Sequence, residues 1–560
     1  MSEPKDTKTP GGDPAKIEAY TTENDHTAGL DHDAKISSYK QDAIDAEQAE
    51  FNMGVLEAVR LYPMASLWAF IMSTTIIMES YCVFLMGAFV AMDEFKEKFG
   101  VLDSKGVPQI EASWQSALQV GGPLGAIIGV CIAGPITSRI GYRWATILGL
   151  MLLNAFIFVF YFANSLALMF VSQLLEGVPW GIFIANAPAY CSEIVPMRLR
   201  APATQMLQMF WALGAIIVGG VCYVYESERN SSAWKFVNPP FINSPFFIAD
   251  NVSTRVPIAL QWMFPTPLAI LLYIAPESPW WLVRKGRLEE AAVALSRLGR
   301  KSAVTNNNES VAMMRRTIDL EKTEKEPSYA ELLKGTDRYR TLIVCGVYAA
   351  QNLTGNLIAN QAVYFFRQAG IDSQLAFALG LITSALQAVF VMLSWILTTY
   401  LGRRTIYVWG SLINVIFLIA LGVAGSVGDS KAASLAMASL GLIVSVGFTL
   451  GPAPASWVII AETSAIRLRP LTTGIGRAAY YVVNIPCIFL STYMLNSTGV
   501  DLGGRCGYVW GATGFVCFVM AFIWIPEMKG RSVREIDIMF RRKIPARQWK
   551  KTVIDINDDE

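Results

Sequence analysis

Long apolar segments alternate with short polar ones along most of the chain. Segments of about 20 residues can cross the hydrocarbon core of a bilayer as helices. Such segments occur at 65–91, 113–134, 144–163, 166–190, 201–225, 257–275, 339–366, 375–400, 404–424, 435–460, 470–493 and 507–526. The pattern predicts an all-α, multi-pass membrane protein with about twelve transmembrane helices in two pseudo-symmetric halves of six.

Charged and polar stretches set the predicted domain boundaries. The polar N-terminal segment has the composition of a disordered tail. We predict a tail over 1–64, a six-helix half over 65–276, a central loop with short helices over 277–338, a second half over 339–526 and a C-terminal tail over 527–560.

Arginine and lysine concentrate in alternate connections. Arginines follow the second, fourth, eighth and tenth spans, and both basic types are frequent in the central loop and the C-terminal tail. Basic connections stay on the cytoplasmic side, so both termini are predicted to be cytoplasmic. On the opposite side, Asn496 begins an Asn-Ser-Thr pattern that could accept a glycan.

The two halves repeat the same motifs at matching helix ends. SEIVPMRLR (192–200) follows the fourth span and AETSAIRLR (461–469) the tenth, each with a glutamate followed by arginines five and seven residues later. PESPWW (276–281) and PEMKGR (526–531) end the sixth and twelfth spans. Repeated halves that rock about a midplane site are the physical basis of alternating access in transporters.

The acids and arginines at these ends are candidates for a cytoplasmic gating network. Arginines alone could simply anchor helix ends in the lipid headgroups, but recurring glutamates beside them favour ion pairs that form in one state and break in another. The candidates are Arg139, Arg143, Glu193, Arg200, Glu277, Arg403, Arg404, Glu462, Arg469 and Glu527.

Composition supports the membrane class and excludes several functions. Of 560 residues, 53% are apolar and 16% charged, which is rare for a soluble protein. The net charge of +1 gives no indication of a nucleic-acid partner. Because His26 and His32 both lie in the N-terminal tail, the membrane body offers no histidine for a metal site or a catalytic triad. We expect no enzyme activity, metal or cofactor.

Several motifs, taken together in order, resemble one family. They are LYPMASLWAF (61–70), STTIIMESY (73–81), PESPWWLVRKGR (276–287), QNLTGN (351–356), YFFRQAG (364–370) and IPARQWKKTVID (544–555). From about Tyr62 to Asp555 the chain resembles the sugar porters of the major facilitator superfamily, and among them the fungal maltose or α-glucoside permeases. The resemblance implies a monomeric secondary transporter that imports an α-glucoside with a proton across the plasma membrane, with the lipid bilayer as its surroundings.

A sugar pocket needs neutral amides for the hydroxyls and an aromatic face for the ring. The seventh span carries five amides within eleven residues, Gln351, Asn352, Asn356, Asn360 and Gln361, although hydrogen bonds between helices would also explain them. The resemblance assigns Gln351 and Asn352 to the substrate. It makes Asn356 an approximate stand-in for a family asparagine whose position is occupied here by Leu357.

The resemblance adds three substrate candidates in other spans. Gln208, eight residues after Arg200, matches the substrate glutamine of sugar porters, and Trp457, five residues before Glu462, matches the tryptophan that lies against the ring. Asn484 is a further candidate donor. Tryptophan is also common at membrane interfaces, so Trp457 alone could have a structural role.

One carboxylate lies in the apolar first span, in IIMESYCVFL (76–85). Ionisable residues are rare there unless they face a cavity and function. Proton-coupled sugar porters usually place their proton-carrying aspartate where this chain has Cys82, and an ordinary thiol has a pKa of about 8.5. Glu79 is therefore the candidate proton carrier.

Two further charged residues are embedded in spans. Arg477 could hold a substrate oxygen or act on an acid across the cavity, and Glu176, where many sugar porters have arginine, could couple protons or simply reach water. Because of Cys82, a uniporter or a transporter of another sugar remains an alternative. A non-transporting sugar receptor is a second alternative.

Overall fold

The computed structural model describes residues 55–102, 108–196, 199–228, 257–299, 310–311, 314–315, 318, 329–355, 358, 360–427, 430–465, 468–531 and 533–552. These residues are mostly α-helical, and one two-residue antiparallel ladder pairs β1 (Val101–Leu102) with β2 (Pro108–Gln109). Helix already begins at Val55, within the stretch predicted to be a disordered tail.

The first helices of the chain comprise those of the first six predicted spans and several short ones, two of which lie in the central loop. They are α1 (Val55–Leu61), α2 (Pro63–Ser73), α3 (Ile76–Ala91), α4 (Asp93–Phe99), α5 (Ala112–Ile140), α6 (Tyr142–Tyr161), α7 (Leu166–Ile194), α8 (Arg200–Glu228), α9 (Pro265–Ile274), α10 (Pro279–Arg284) and α11 (Leu288–Leu298). Short 3₁₀ turns occur at Leu260–Met263, before α9, and at Glu331–Leu333.

The remaining helices form the second predicted half and the start of the tail. They are α12 (Gly335–Leu353), α13 (Ala362–Gln368), α14 (Ser373–Tyr400), α15 (Arg403–Ala424), α16 (Lys431–Leu450), α17 (Pro452–Thr463), α18 (Arg469–Leu495), α19 (Cys506–Trp524) and α20 (Val533–Arg541). A 3₁₀ turn at Gly503–Arg505 leads into α19.

Among the described residues, eleven helical segments are long and apolar enough to cross a membrane. They correspond to every predicted span except the seventh. That span, predicted as one helix over 339–366, is interrupted: α12 ends at Leu353 and α13 begins at Ala362. The side chains of the membrane helices are distributed as lipid contact requires, since Ile270, Ile396 and Val482 are more than half exposed.

Where the seventh span is interrupted, neighbouring helices supply hydrogen bonds to its backbone carbonyls. Gly355 adopts a φ of +81°, which favours glycine. The Leu353 carbonyl accepts from the Thr513 hydroxyl at 2.7 Å, and the Thr354 carbonyl accepts from the Asn414 amide at 2.9 Å. Broken helices are tolerated at membrane depth where such partners replace the lost backbone bonds, and they commonly mark transport sites.

The chain divides into two compact units. The first combines Met1–Leu67, Glu193–Arg200 and Pro276–Glu326, and the second contains the rest, including nearly all the membrane helices. In the first unit, the Ser278 hydroxyl caps α10 by accepting from the Trp281 amide at 3.2 Å. Because most of both six-helix halves lies in the second unit, the boundary between the halves stays a prediction.

Glycines allow α5 and α7 to approach closely. Gly125 and Gly129 on α5 face Gly177 and Gly181 on α7, and each helix has the small-residue spacing that membrane helices use for close contact. A Cβ atom at Gly125 would collide with the Leu174 carbonyl oxygen, which is backbone and cannot rotate away. This close packing fixes the positions of α5 and α7, and both helices contribute residues to the cavity described below.

Gly125→Ala should therefore destabilise the protein by about 1–3 kcal/mol, the usual cost of overpacking. Gly220→Ala is the matched control, because a Cβ atom at that helical glycine meets no neighbour within 4 Å. Unfolding of both purified variants in detergent, followed by tryptophan fluorescence, checks the prediction. Equal stability of the two variants would contradict it.

Candidate substrate and proton site

A buried ion pair joins the first span to the eleventh. Glu79 on α3 and Arg477 on α18 are each only 2% exposed, and an Arg477 Nη atom lies 2.8 Å from Glu79 Oε1. The Tyr481 hydroxyl donates to the same oxygen at 2.8 Å. Charges removed from water need such partners. Of the two roles open to Arg477 from the sequence, this contact is the one with an acid, and the acid is Glu79.

Tyrosine rings surround the arginine. The Arg477 guanidinium carbon lies 4.1 Å from the ring centroid of Tyr480, 4.8 Å from that of Tyr481 and 5.9 Å from that of Tyr348. Cation–π attraction is strongest when the cation is desolvated, as it is here. The rings therefore hold Arg477 in place and leave its guanidinium directed at Glu79.

The candidate amides bond to each other and to neighbouring helices. The Asn352 side chain donates to the Tyr480 carbonyl at 3.0 Å and accepts from the Asn484 amide at 2.8 Å. The Gln351 amide donates to the Ser456 hydroxyl at 2.6 Å. Two of the predicted substrate residues, Asn352 and Asn484, thus bond to each other beside Tyr480, and Gln351 bonds instead to α17. Asn356 lies outside the described residues.

Gln208 and Trp457 meet directly. The Trp457 indole N–H donates to Gln208 Oε1 at 3.0 Å, joining α8 to α17 across 249 residues of sequence. The Tyr348 ring stands edge-on to Trp457, with centroids 6.1 Å apart. The same tyrosine also faces Arg477, so the aromatic candidate and the ion pair share a neighbour.

A cavity opens beside the ion pair. Its polar wall consists of Glu79, Gln119, Gln173, Asn360, Gln361 and Asn484. Its aromatic wall consists of Trp180, Trp211, Tyr480 and Tyr481. Glu79 Oε2, Gln119 Nε2, Gln173 Nε2 and Gln361 Oε1 have no hydrogen-bond partner among the described residues. The cavity thus combines rings with unsatisfied donors and acceptors, which is the chemistry that a polyhydroxylated ligand needs.

Glu176 lies on α7 between Gln173 and Trp180, two residues that line this cavity. It is fully buried, and the Cys82 thiol of α3 faces its carboxyl group. Neither carboxyl oxygen has a partner at full hydrogen-bond geometry among the described residues. The suggestion that Glu176 simply reaches water is therefore wrong for this state of the protein.

In the second unit, two of the predicted gating residues form an ion pair. An Arg403 Nη atom lies 3.1 Å from Glu462 Oε1, which ties the start of α15 to the end of α17. Arg404 instead donates to the Phe522 carbonyl at 2.8 Å, and Glu527 accepts from the Thr405 amide at 3.4 Å. Arg469 is partly buried near the start of α18.

The other gating candidates have different surroundings. In the first unit, Glu193 accepts from the Ser278 hydroxyl and the Arg284 guanidinium, and Glu277 accepts from the Ser278 amide at 3.0 Å. Arg200 is partly buried there. In the second unit, Arg143 donates to the Ala275 carbonyl at 3.0 Å, and Arg139 is exposed.

Sequence reasoning missed several residues of the site. Arg284, the partner of Glu193, was visible only as part of the PESPWWLVRKGR motif. Tyr481 could have been suspected from its place one helical turn after Arg477, but Gln119, Trp180 and Trp211 carried no signal that separated them from core residues.

Asn496 is fully buried and its side chain donates to the Ile110 carbonyl at 3.1 Å, so it is not accessible to a glycan in this fold.

A bundle of membrane-spanning helices around a cavity with an embedded carboxylate and arginine defines a membrane transporter. Residues 68–540 match the family model described as "Sugar (and other) transporter". The chain belongs to this family of sugar transporters within the major facilitator superfamily, and the predicted all-α membrane architecture is confirmed.

Similar proteins agree with this assignment. The α-glucosides permease MPH3 of Saccharomyces cerevisiae is 34% identical over 531 residues, which cover 93% of this chain and 85% of that protein. The maltose permease MAL31 of the same yeast is 33% identical over 521 residues, covering 92% and 82%. The proton:xylose symporter XylE bound to 6-bromo-6-deoxy-D-glucose shares the fold with a TM-score of 0.67 at 17% identity, over 86% of this chain and 99% of that one.

Proposed function

We propose that this protein imports maltose-like α-glucosides together with protons across the plasma membrane. The observation that carries the proposal is the position of Glu79. Glu79 lines the amide- and tryptophan-bearing cavity; one of its carboxylate oxygens is bound to Arg477, and the other, Oε2, has no hydrogen-bond partner among the described residues. The names of the yeast relatives, an α-glucosides permease and a maltose permease, support the substrate class.

Sugar binding would exchange hydrogen bonds within the site for bonds to the sugar. The Trp457–Gln208 and Asn484–Asn352 bonds each join amide or indole groups that can serve a hydroxyl equally well. Such an exchange costs little net energy per bond. Because α8 and α17 belong to opposite predicted halves, a sugar that replaces their bond would change how the halves are held together.

Proton binding would act on the ion pair in the same way. Glu79 and Arg477 also belong to opposite predicted halves, and they attract each other only while Glu79 is ionised. A proton on Glu79 removes that attraction and allows α3 and α18 to separate. Sugar and proton would therefore loosen neighbouring links between the halves, which provides a physical basis for coupling them.

Uptake of labelled maltose in a yeast strain that lacks its own α-glucoside permeases tests the proposal. We expect accumulation accompanied by alkalinisation of the medium. Glu79→Gln should lose accumulation but keep exchange of internal for external sugar, because glutamine can accept from Arg477 but cannot carry the proton. Glu111→Gln, at an exposed glutamate before α5, is the control and should behave like the natural chain.

Each alternative has its own result in this experiment. Uptake without alkalinisation would contradict proton coupling and indicate a uniporter. Failure to transport any tested α-glucoside would contradict the transport proposal and favour a receptor. Full accumulation by Glu79→Gln would remove Glu79 from the role of proton carrier.

A further inference from the structure

Away from their ends, the membrane spans contain more acids than bases. Among the twelve apolar segments, Glu79 and Glu176 are the two acidic residues, and the first six segments contain no lysine, arginine or histidine. In the last six, Arg340 and Arg404 lie within the first two residues of their segments, so Arg477 is the single basic residue deeper inside. Two embedded carboxyl groups therefore share one embedded cation.

The structure gives that cation to Glu79. Arg477 is bound to Glu79 at 2.8 Å and enclosed by tyrosine rings. Glu176 is 0% exposed, and its carboxyl oxygens have no partner at full hydrogen-bond geometry among the described residues. An ionised carboxylate in such surroundings would lose its hydration and gain only the weak thiol donor of Cys82 in return, whereas the protonated acid carries no charge to stabilise.

Within the part of the chain that the structure describes, the helices around Glu176 bring no compensating charge. From α3 the Cys82 thiol faces it. Helix α5 packs on α7 through Gly122 and Gly125, and α6 packs on it through Gly149. The arginines of α5 and α6, Arg139 and Arg143, lie at the far ends of those helices. Helix α8 carries its ionisable groups in its first turn and near its last turns.

Glu176 is nevertheless close to the transport site. Gln173 and Trp180, three residues before and four residues after it, both line the cavity beside Glu79. Residues at these spacings share one face of a helix, so Glu176 lies on the cavity side of α7. A small opening between α3 and α7 would expose its carboxyl group to water.

We propose that Glu176 is a second proton-binding site, which holds a proton while Glu79 is paired with Arg477 and carries one further proton with each sugar. The proton binds from external water to the Glu176 carboxylate and leaves to water on the opposite side, so the carboxyl group is regenerated in each cycle. Only the transport of this proton rests on the proposed symport. The protonated state of Glu176 does not.

Infrared spectroscopy of the purified protein at neutral pH tests the protonated state directly. A protonated carboxylic acid has its own carbonyl-stretching band, distinct from that of a carboxylate. We expect this band in the natural chain, in Glu79→Gln and in the exposed control Glu111→Gln, and its loss in Glu176→Gln. Cys82→Ala should shift the band, because the acid loses the thiol that faces it. If Glu176→Gln does not fold, the band shift in Cys82→Ala still tests whether Glu176 is protonated.

The proton-to-sugar ratio, measured in vesicles from the gradients at which net flux stops, tests the coupling. It should fall by one proton per sugar in Glu176→Gln and stay unchanged in Glu111→Gln. An identical band in the natural chain and Glu176→Gln, or no shift in Cys82→Ala, would overturn the protonated state of Glu176. If the carboxylic-acid band disappears in Glu176→Gln while the proton-to-sugar ratio stays unchanged, the proton on Glu176 is not transported, and that part of the proposal is overturned. Failure to transport α-glucosides would count against the proposed function and leave the infrared result intact.

Discussion

Arg477→Met is expected to destabilise the folded protein by about 3–5 kcal/mol, the usual cost of removing one partner of a buried ion pair. The change leaves Glu79 without a cation and with the Tyr481 hydroxyl as its remaining described donor. It also removes the cation from the faces of Tyr480 and Tyr481. The free energy of unfolding of the purified protein in mild detergent, followed by tryptophan fluorescence, measures the effect.

The double variant Glu79→Leu with Arg477→Met provides the control for that prediction. Replacing both charges by apolar side chains of similar size is often neutral or stabilising, so most of the lost stability should return while accumulation of sugar stays absent. This result would separate the role of the pair in coupling from its role in folding. If the single and double variants unfold alike, the two side chains are not energetically coupled.

The sequence predicted the helices well because a membrane span is a local property. About 20 apolar residues are needed whatever the neighbours do, and every predicted span has a helix near its predicted position. The break in the seventh span was not predicted. The break depends on tertiary contacts, since side chains of Thr513 and Asn414 on other helices donate to the backbone carbonyls that lose their partners within the helix.

The site was predicted only in part, for the same physical reason. Helical spacing places Glu79 and Cys82 on one face of α3, but it does not show that Arg477, 398 residues away, closes on Glu79. Nor does it separate the arginine that pairs with Glu193, Arg284, from the others at the helix ends. The sequence shows that the spans contain two embedded acids and one embedded base, but only the fold shows that the base is paired with Glu79.

Trp457→Ala should raise the KM for maltose by at least about 30-fold, the effect of losing a buried aromatic anchor worth about 2 kcal/mol. The indole supplies both a ring face and the N–H bound to Gln208, and its loss removes both. Trp457→Phe keeps a ring and removes only the N–H, so its KM should rise about 5-fold, as expected for one hydrogen bond of about 1 kcal/mol. Initial rates of labelled maltose uptake, normalised to the amount of protein at the surface, measure both values.

Trp510→Phe is the matched control for this series. Trp510 is also buried, at 1% exposure, but it lies on α19, and its indole N–H has no hydrogen-bond partner among the described residues, whereas that of Trp457 is bound to Gln208. Its replacement should change stability without changing KM. A KM for Trp457→Ala equal to that of the natural chain would mean that the ring does not contact the sugar. Equal KM values for Trp457→Phe and Trp457→Ala would mean that the N–H, and not the ring face, supplies the affinity, and the sugar would then be held at this position by its hydroxyls alone.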